Sequence, residues 1–467
     1  MRSLALPVLL AASALSPAQA SGQLDPRFDA DGVRVLDAGQ PSGAFDLAFD
    51  GLFDQAGRIV AVGRSVQNSA SLGHVLRMNP LGELDSTFGQ AGIVRIPPPD
   101  GFGQSRLVAV VEQSDGKLVV AGDVREPDGS PSNISRAYVC RLHADGALDS
   151  SFGSGGCAQP AFWVDSNHDI VFALALQQDG RLVIMGQTDL DGVGYPDYVV
   201  ARLNSDGSYD RCFGDVSCTV GGLLIKPEPE ADLTSFSARA LALAPDGRIV
   251  LAGDAMGAVS RDMAAIRLLP TGEVDQSFGN GGHRLVAFDQ GGSNFDAAQA
   301  VTVGPNGAVL LAGSAPEALS ISVAVAALDA NGTLIPGFGS GGRTTFYFND
   351  VTPVQNAHSV KLQADGKVLL GGLTSDLENG DFYADCGIAR LLPNGQLDPA
   401  FGVNGTLTLD AGLGLEPARS DGCFALDANA RSVVLFGLTQ TPNSNVYDSL
   451  FIKLDQDDLF RDGFDPD

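Results

Sequence analysis

The chain has 467 residues, with 56 Asp and Glu against 29 Lys and Arg, and a formal net charge of −27. Nucleic-acid binding requires clusters of Lys and Arg that neutralise phosphates, and the sequence contains no such cluster. The composition therefore excludes a nucleic-acid partner and leaves divalent cations as the natural small partners of an acidic surface.

Residues 1–20 are predicted to form a secretory signal peptide. Arg2 supplies the positive charge, 4–15 is an apolar run, and Ala18-Gln19-Ala20 is a small-x-small cleavage pattern. An apolar run of about a dozen residues is too short to span a bilayer, which needs about 20. We find no later candidate for a transmembrane segment and expect an exported protein in the periplasm, the medium or the cell surface.

Two motifs recur along the mature chain in a common phase. One is an apolar stretch that ends in glycine, such as GRIVAVG or DGKLVVAG, and the other is an Asp-x-x-Phe-Gly turn whose phenylalanines follow one another at 60 to 65 residues. The phenylalanines are Phe28, Phe88, Phe152, Phe213, Phe278, Phe338 and Phe401. Seven phased copies of both motifs indicate a repeat protein.

Each copy is predicted to form four short strands. In the second copy these are 93–96, 107–113, the stretch that ends at Gly122, and 137–142. Asp115-Gly116 predicts a hairpin, because glycine accepts the positive φ of such turns. The middle strands are apolar on both faces, so we expect both faces to be buried.

The mature chain lacks the apolar periodicity of helices, so the predicted fold is all-β. Four-stranded sheets repeated about an axis form a β-propeller, and residues 21–464 are predicted to be a seven-bladed one built from seven repeats of about 60 residues. A β-solenoid is the alternative, but its rungs are usually much shorter.

The repeats resemble the delta-60 repeat of exported bacterial proteins. The resemblance rests on paired signatures seen here as DGKLVVAG and CRLHADGALDSSFG, and it covers 24–464. It implies a propeller-like fold of largely unknown activity. Three departures are Ala327, where other copies carry Arg or Lys, Pro336, which replaces the turn Asp of the fifth copy, and Arg431, where the last hairpin lacks its glycine.

Six cysteines in an exported chain predict three disulfides. Fifteen pairings are possible; pairing nearest neighbours predicts Cys140–Cys157, Cys212–Cys218 and Cys386–Cys423. A zinc site is the alternative, but it lacks a Cys-x-x-Cys motif and a nearby His pair.

Each copy but the fifth carries a cation eleven residues before a turn phenylalanine. These cations either surround the axis and bind an anion, or they pair with nearby carboxylates. The second interpretation is favoured, because a residue that recurs in nearly every repeat usually serves the repeat itself. The cations are Arg77, Arg141, Arg202, Arg267, Arg390 and Lys453, and the carboxylates are Asp85, Asp149, Asp210, Asp275 and Asp398.

The spacing from Lys453 to Phe464 is also eleven residues. Residues 456–467 are therefore predicted to be a closing turn, with Phe464 buried where the two chain ends meet. The alternative is a short tail common on exported bacterial proteins.

Candidate sites are few. Asp189 and Asp191 are weak candidates for Ca²⁺, which prefers closely spaced carboxylates, although the full twelve-residue pattern is absent and a solvated turn is the alternative. The segment 163–169 brings Trp163, the only Trp of the sequence, near His168 and Asp169. It is either a sugar-binding or acid/base patch or a loop with a packed aromatic ring. No catalytic motif and no cofactor-binding residue is identified.

Three functions fit these observations. The first is a binding or surface-interaction module whose ligand is unknown, with a glycan or a protein at the loop faces as candidates. The alternatives are a secreted polysaccharide hydrolase or lyase that uses the axis, and a structural envelope protein. Carboxylates or His converging at the axis would favour the enzyme.

Overall fold

The computed structural model is all-β. It describes residues 22–37, 46–67, 70–127, 130, 134–160, 162, 168–188, 197–214, 218, 223–225, 235–256, 260–291, 293, 295–349, 354–378, 381–409, 421–440 and 447–455. None of these residues belongs to a helix able to cross a membrane.

Strand pairing divides the described chain into six sheets. Four sheets have four strands each. The first contains β3 (Asp46–Phe53), β4 (Ile59–Gln67), β5 (Ala70–Met78) and β6 (Ile93–Ile96), and the second contains β7 (Gln104–Glu112), β8 (Leu118–Arg125), β9 (Ser135–Leu142) and β10 (Cys157–Ala158). The third contains β11 (Ile170–Leu176), β12 (Leu182–Thr188), β13 (Asp197–Leu203) and β14 (Leu223–Ile225), and the fourth contains β15 (Ser235–Leu243), β16 (Ile249–Met256), β17 (Arg261–Leu268) and β18 (His283–Val286).

The two other sheets are larger. One has five strands: β1 (Gln23–Leu24), β2 (Val33–Leu36), β27 (Asp421–Ala428), β28 (Ser432–Gln440) and β29 (Tyr447–Asp455). The other has eight: β19 (Ala297–Val303), β20 (Val309–Pro316), β21 (Ile321–Leu328), β22 (Arg343–Phe346), β23 (Val354–Leu362), β24 (Val368–Glu378), β25 (Asp381–Leu391) and β26 (Thr406–Leu409).

The all-β propeller is confirmed, but the predicted count of seven four-stranded blades is wrong. Five sheets have the size of a single blade, and the other eight strands form one continuous sheet. The cause is a parallel contact of Ile321 in β21 with Val354 in β23, which joins strands that would otherwise belong to separate sheets. Similar contacts elsewhere, such as Ser135 with His168, are isolated bridges outside the named sheets.

The sheets surround a common axis. Their inner strands are β3, β7, β11, β15, β19, β23 and β27; each packs on the next, and β27 packs on β3. We call the end with the tight Asp-Gly and Phe-Gly turns the turn end, and the opposite end the loop end. Apolar residues fill the space between sheets; Val60 and Val62 of the first pack with Val110 and Val120 of the second.

The strand cation, its carboxylate and the turn phenylalanine form one buried contact set, which we call the Arg–Asp–Phe cluster. Arg141 donates to Asp149 at 2.8 Å, lies 4.9 Å from the Phe152 ring centroid, and donates to the carbonyl of Ser205 in the next repeat at 2.6 Å. The cluster therefore joins one sheet to the next. Corresponding ion pairs have N···O distances of 2.9 Å for Arg77–Asp85, 2.7 Å for Arg202–Asp210, 2.8 Å for Arg267–Asp275 and 2.7 Å for Arg390–Asp398.

The carboxylate of each cluster also binds a second cation from the Asp-Gly-Lys/Arg motif. Lys117 lies 3.5 Å from Asp149, and Arg248 lies 3.1 Å from Asp275. The two sequence motifs thus recur together because they share one carboxylate. The fifth copy has uncharged residues at all three positions, Ala308, Ala327 and Ile335; Ile335, and not Pro336, takes the place of the turn Asp, because its amide donates to Ala327 as that of Asp149 donates to Arg141. Losing every charge avoids an unpaired buried ion.

The chain ends meet in one sheet, because β1 and β2 both pair with β29. Lys453 lies 3.0 Å from Asp25 and 5.8 Å from the centroid of the fully buried Phe28 ring. Phe28 thus fills the turn position beside Lys453 that the sequence suggested for Phe464. Phe464 and residues 456–467 lie outside the described residues.

Gly22 completes the same junction. Its φ is 84°, and a Cβ there would lie 2.6 Å from the Phe401 ring. Gly82 approaches Phe28 in the same way, with a Cβ position 3.0 Å from that ring. A residue other than glycine at position 22 would therefore displace Phe401 and strain the backbone.

The predicted three disulfides are present, and no described cysteine is free. They join Cys140 to Cys157, Cys212 to Cys218, and Cys386 to Cys423. The last bond connects β25 with β27 and so covalently links the eight-stranded and five-stranded sheets.

Replacing Phe28 with Ala should lower the free energy of unfolding by about 3–5 kcal/mol, because the change leaves a cavity at the junction of the chain ends. Phe295 is the matched control, since its side chain is 44% exposed and its truncation should cost less than about 1 kcal/mol. Denaturant unfolding of the mature protein measures both. An equal effect of the two substitutions would contradict this closure.

Acid should destabilise the protein as the clusters protonate. Burial alone would raise the pKa of Asp25, but hydrogen bonds from Arg27 and Lys453 lower it to about 2; the pKa of Asp149 is lowered first by the Ser151 hydroxyl. Because the unfolded pKa is about 4, this stability is present above about pH 4 and is lost as the pH falls toward 2.

Thermal unfolding measured between pH 7 and pH 2 tests this dependence. Asp149→Asn should lower the Tm at pH 7, because it leaves Arg141 buried without its counter-ion, and should make the acid-induced decrease shallower. A variant with the same acid profile as the natural protein would refute the assignment of acid sensitivity to this cluster.

Candidate functional site at the axis

Each inner strand contains a β-bulge at the same place. One residue is skipped in the pairing with the next strand, for example Phe49 between Ala48 and Asp50. A bulge interrupts the ladder and redirects a side chain. The bulged residues are Phe49, Val108, Phe172, Arg239, Gln299, His358 and Phe424.

The bulged residues lie on the inner strands, and three of their side chains meet across neighbouring sheets. The ring centroids of Phe49 and Phe424 are 6.3 Å apart, and those of His358 and Phe424 are 6.2 Å apart. All seven bulged residues are partly or largely exposed, whereas the residues before them in their strands are buried. They therefore form an accessible inner surface, which we call the axial ring.

The axial ring breaks the symmetry of the repeats. A scaffold role shared by all copies would favour one residue type, as at the turn phenylalanines. Here the same position holds three phenylalanines, a valine, a glutamine, a histidine and an arginine. The side of Phe49, Phe424 and His358 is aromatic, and Arg239 brings a positive charge.

The polar members of the ring have defined charges at neutral pH. Burial, followed by the positive charge of Arg239, lowers the pKa of His358 to about 4, so its imidazole is neutral and can donate and accept one hydrogen bond each. The Arg239 side chain is 46% exposed and its Nε lies 3.6 Å from an oxygen of the buried Asp254. The ring thus combines aromatic faces, a neutral imidazole and an accessible cation.

Charged residues also connect the inner strands closer to the turn end. Asp50 accepts a hydrogen bond from the Val110 amide at 3.0 Å, and Asp427 accepts one from the Phe53 amide at 2.8 Å. Lys361 lies 2.5 Å from the second oxygen of Asp427. Each contact joins neighbouring sheets, so these residues have a structural role whatever else they do.

Asp50 has an unusual acidity for an aspartate. Burial raises its pKa to about 6, against the effect of the hydrogen bond from Val110, and the negative charge of Asp427 raises it further. Asp50 is therefore protonated at mildly acidic pH, close to the side chain of Asp427. A carboxyl group that keeps its proton near pH 6 is suited to act as a general acid.

Of the residues singled out from sequence, His168 and Asp169 belong to the part of the chain that the structure describes. Trp163, Asp189 and Asp191 lie outside the described residues, so the calcium site stays a prediction. Asp169 is fully buried and accepts a hydrogen bond from the Thr188 hydroxyl at 2.8 Å. It holds the start of an inner strand, and the two interpretations of the segment 163–169 stay predictions because Trp163 is not described.

Sequence reasoning also missed one acidic group. Within the described residues, Asp37, Asp46 and Asp448 bring carboxylate oxygens within 4.8 Å of one another. Asp46 stands three residues before the bulge of its strand, and Asp296 holds the same place before the bulge of β19. Asp296 accepts a hydrogen bond from the Phe288 amide at 2.7 Å. The burial of Asp46 is thus explained by a repeated strand-entry role.

The sequence and the fold were compared with known proteins. Five stretches match the family described as a domain of unknown function (DUF5122) beta-propeller: 57–88, 113–152, 177–213, 244–278 and 363–401. No match was found among curated proteins.

Several solved structures are similar in fold. Polysaccharide lyase Uly1 has a TM-score of 0.47 and 11% identity, covering 95% of this chain and 94% of its own. A PL25 ulvan lyase bound to a GlcA–Rha3S unit has a TM-score of 0.46 and 8% identity, covering 88% and 92%. Sqt1 from Chaetomium thermophilum has a TM-score of 0.42 and 13% identity, covering 85% and 81%. The five matched stretches support a repeat β-propeller, and together they cover less than half of the chain.

Proposed function

We propose that the protein is a binding module that holds a glycan at the axial ring. The observation that carries this proposal is the asymmetry of the ring: one structural position, repeated in seven inner strands, holds five residue types. Function on a common scaffold resides in such particular sites rather than in the fold.

The chemistry of the ring matches a sugar. A pyranose presents C–H groups on its faces and hydroxyls at its edges, so it packs on aromatic rings and needs a few polar partners. Phe49, Phe172 and Phe424 supply the rings, and Gln299 and neutral His358 supply hydrogen-bonding groups. Binding sites for small ligands commonly combine apolar walls with a few such polar groups. Arg239 favours a sugar that carries a carboxylate or a sulfate.

Titration calorimetry of the mature protein with neutral, uronate-containing and sulfated oligosaccharides tests the proposal. We expect binding to at least one acidic oligosaccharide, weakened about tenfold or more by Phe424→Ala because a stacking face worth about 1.4 kcal/mol or more is lost. Arg239→Gln should weaken acidic sugars more than neutral ones.

Phe295→Ala is the control, since it removes an exposed ring that does not belong to the axial ring. Loss of affinity in this control equal to that in Phe424→Ala would contradict the assignment. So would the absence of binding to every oligosaccharide at millimolar concentration.

A polysaccharide hydrolase or lyase is the second candidate, and the Asp50–Asp427 pair favours it. Asp50, with a pKa of about 6, would be the proton donor, and Asp427 would be the second carboxyl group of the site. Cleavage that needs protonated Asp50 should decline as the pH rises through about 6.

Release of reducing ends or unsaturated sugars from acidic polysaccharides, measured from pH 4 to pH 8, separates the two candidates. An enzyme should release products with this pH profile and lose that activity in Asp50→Asn. A binding module should release none, and Asp50→Asn should then retain its oligosaccharide affinity. Product release that persists in Asp50→Asn would exclude this carboxyl as the acid.

We also propose that the repeats are of the delta-60 type and that the mature protein is exported. The three disulfides support export, since such bonds persist in oxidising compartments. Ala18-Gln19-Ala20 supports cleavage before Ser21, and N-terminal sequencing of the secreted protein tests it.

A further inference from the structure

A polar pocket lies at the loop end, between the first two sheets. It is open to solvent, has a cavity volume of about 50 Å³, and is lined by the ends of β4 and β5 and by β7 and β8. Three arginines contribute to it, Arg64, Arg106 and Arg125, and among the described residues that line it Asp123 is the one acidic side chain. The pocket is therefore positively charged in a chain whose net charge is −27.

Only one of the three guanidinium groups has a counter-ion within the described residues. Arg106 lies 2.7 Å from Asp123. Arg64 Nε is buried and has no hydrogen-bond partner, and no ion pair involves Arg64 or the exposed Arg125 in the part of the chain that the structure describes. This arrangement differs from the Arg–Asp–Phe clusters, where each buried cation faces a carboxylate.

The electrostatic repulsion among the three arginines indicates that the pocket lacks a negative charge. Burial lowers the pKa of Arg64, and the charges of Arg106 and Arg125 lower it further, against the opposing effect of Asp123. An unpaired charge in a partly buried site is destabilising unless an opposite charge joins it. A bound anion would supply that charge and the missing acceptor for Arg64 Nε.

The walls of the pocket are fixed in place. The Ser105 hydroxyl accepts from the Gly73 amide and donates to the Ile96 carbonyl, both at 2.9 Å, and Asp123 holds the Arg106 guanidinium. Arginines held in one orientation lose little entropy on binding, and their planar guanidinium groups match the oxygens of carboxylates, sulfates and phosphates.

We propose that this pocket is an oxyanion-binding site, separate from the axial ring, for a carboxylate, sulfate or phosphate group. Arg64 and Arg125 bind the anion, while Asp123 positions Arg106 beside it. Two sources share this chemistry: a free inorganic anion and an acidic group on a polysaccharide.

Calorimetry of the mature protein with sodium sulfate, sodium phosphate and a sulfated oligosaccharide, against sodium chloride at equal ionic strength, tests this site. At least one should bind, and Arg125→Gln should weaken it about tenfold without affecting folding, because Arg125 is exposed. Arg64→Gln should have the same effect. The two sources are compared in the Phe424→Ala background, where the axial ring binds sugars weakly. There, equal affinity for inorganic and sugar-linked sulfate identifies the free anion, and oligosaccharide binding that is tighter and is lost in Arg125→Gln identifies the polysaccharide.

Arg284→Gln is the matched control, because Arg284 is also half-buried with an unpartnered Nε but lies in β18, outside the pocket. The Arg284→Gln variant should bind these anions with the same affinity as the natural protein. Equal weakening in the control, or no binding of any of the three anions, would overturn the proposal. Phe424→Ala should leave inorganic sulfate binding unchanged, so failure of the axial glycan site and failure of this site are distinguishable.

Discussion

The buried guanidinium of the Arg–Asp–Phe cluster is the contact on which the propeller depends. It faces a carboxylate of its own turn, a phenylalanine ring and a carbonyl of the next repeat, so one side chain orders a turn and joins two sheets. A buried cation is stable only when its partners are all in place. This constraint explains why the two motifs recur in phase, and why the fifth copy replaces Arg, Asp and the second cation together with Ala327, Ile335 and Ala308.

Closure uses the same chemistry across the chain ends. The sequence offered two phenylalanines for the place beside Lys453, since Phe464 keeps the spacing of eleven residues and Phe28 has its own turn. The residue three positions before the ring separates them: it is Asp25 for Phe28 but Arg461 for Phe464. Only Asp25 can neutralise Lys453, and the structure places it there at 3.0 Å. The charge of the residue three positions before the ring therefore selects Phe28 over Phe464, which the spacing alone does not.

Strands, tight turns and the number of disulfides were predictable because they follow from local patterns: two-residue alternation, Asp-Gly turns and an even cysteine count. The sheet count was not, because it depends on one backbone contact, Ile321 with Val354, between strands whose side-chain pattern is the same whether or not they pair. The axial ring escaped prediction for a related reason. A bulge adds one residue and shifts the alternation, so Phe49 and Arg239 read as ordinary strand residues. Small neighbours on each side, as in Ala238-Arg239-Ala240, were the signal available.

The bulges also separate function from stability. A bulged residue makes no regular ladder contact and is partly exposed, so replacing it costs the sheet little. The turn phenylalanines have no such freedom, since each is nearly or fully buried and packs on the neighbouring repeat. Variation among seven otherwise similar strands can therefore accumulate at the axis without weakening the ring of sheets. The loop end has the same freedom, because the Arg–Asp–Phe clusters that join the sheets all lie at the turn end.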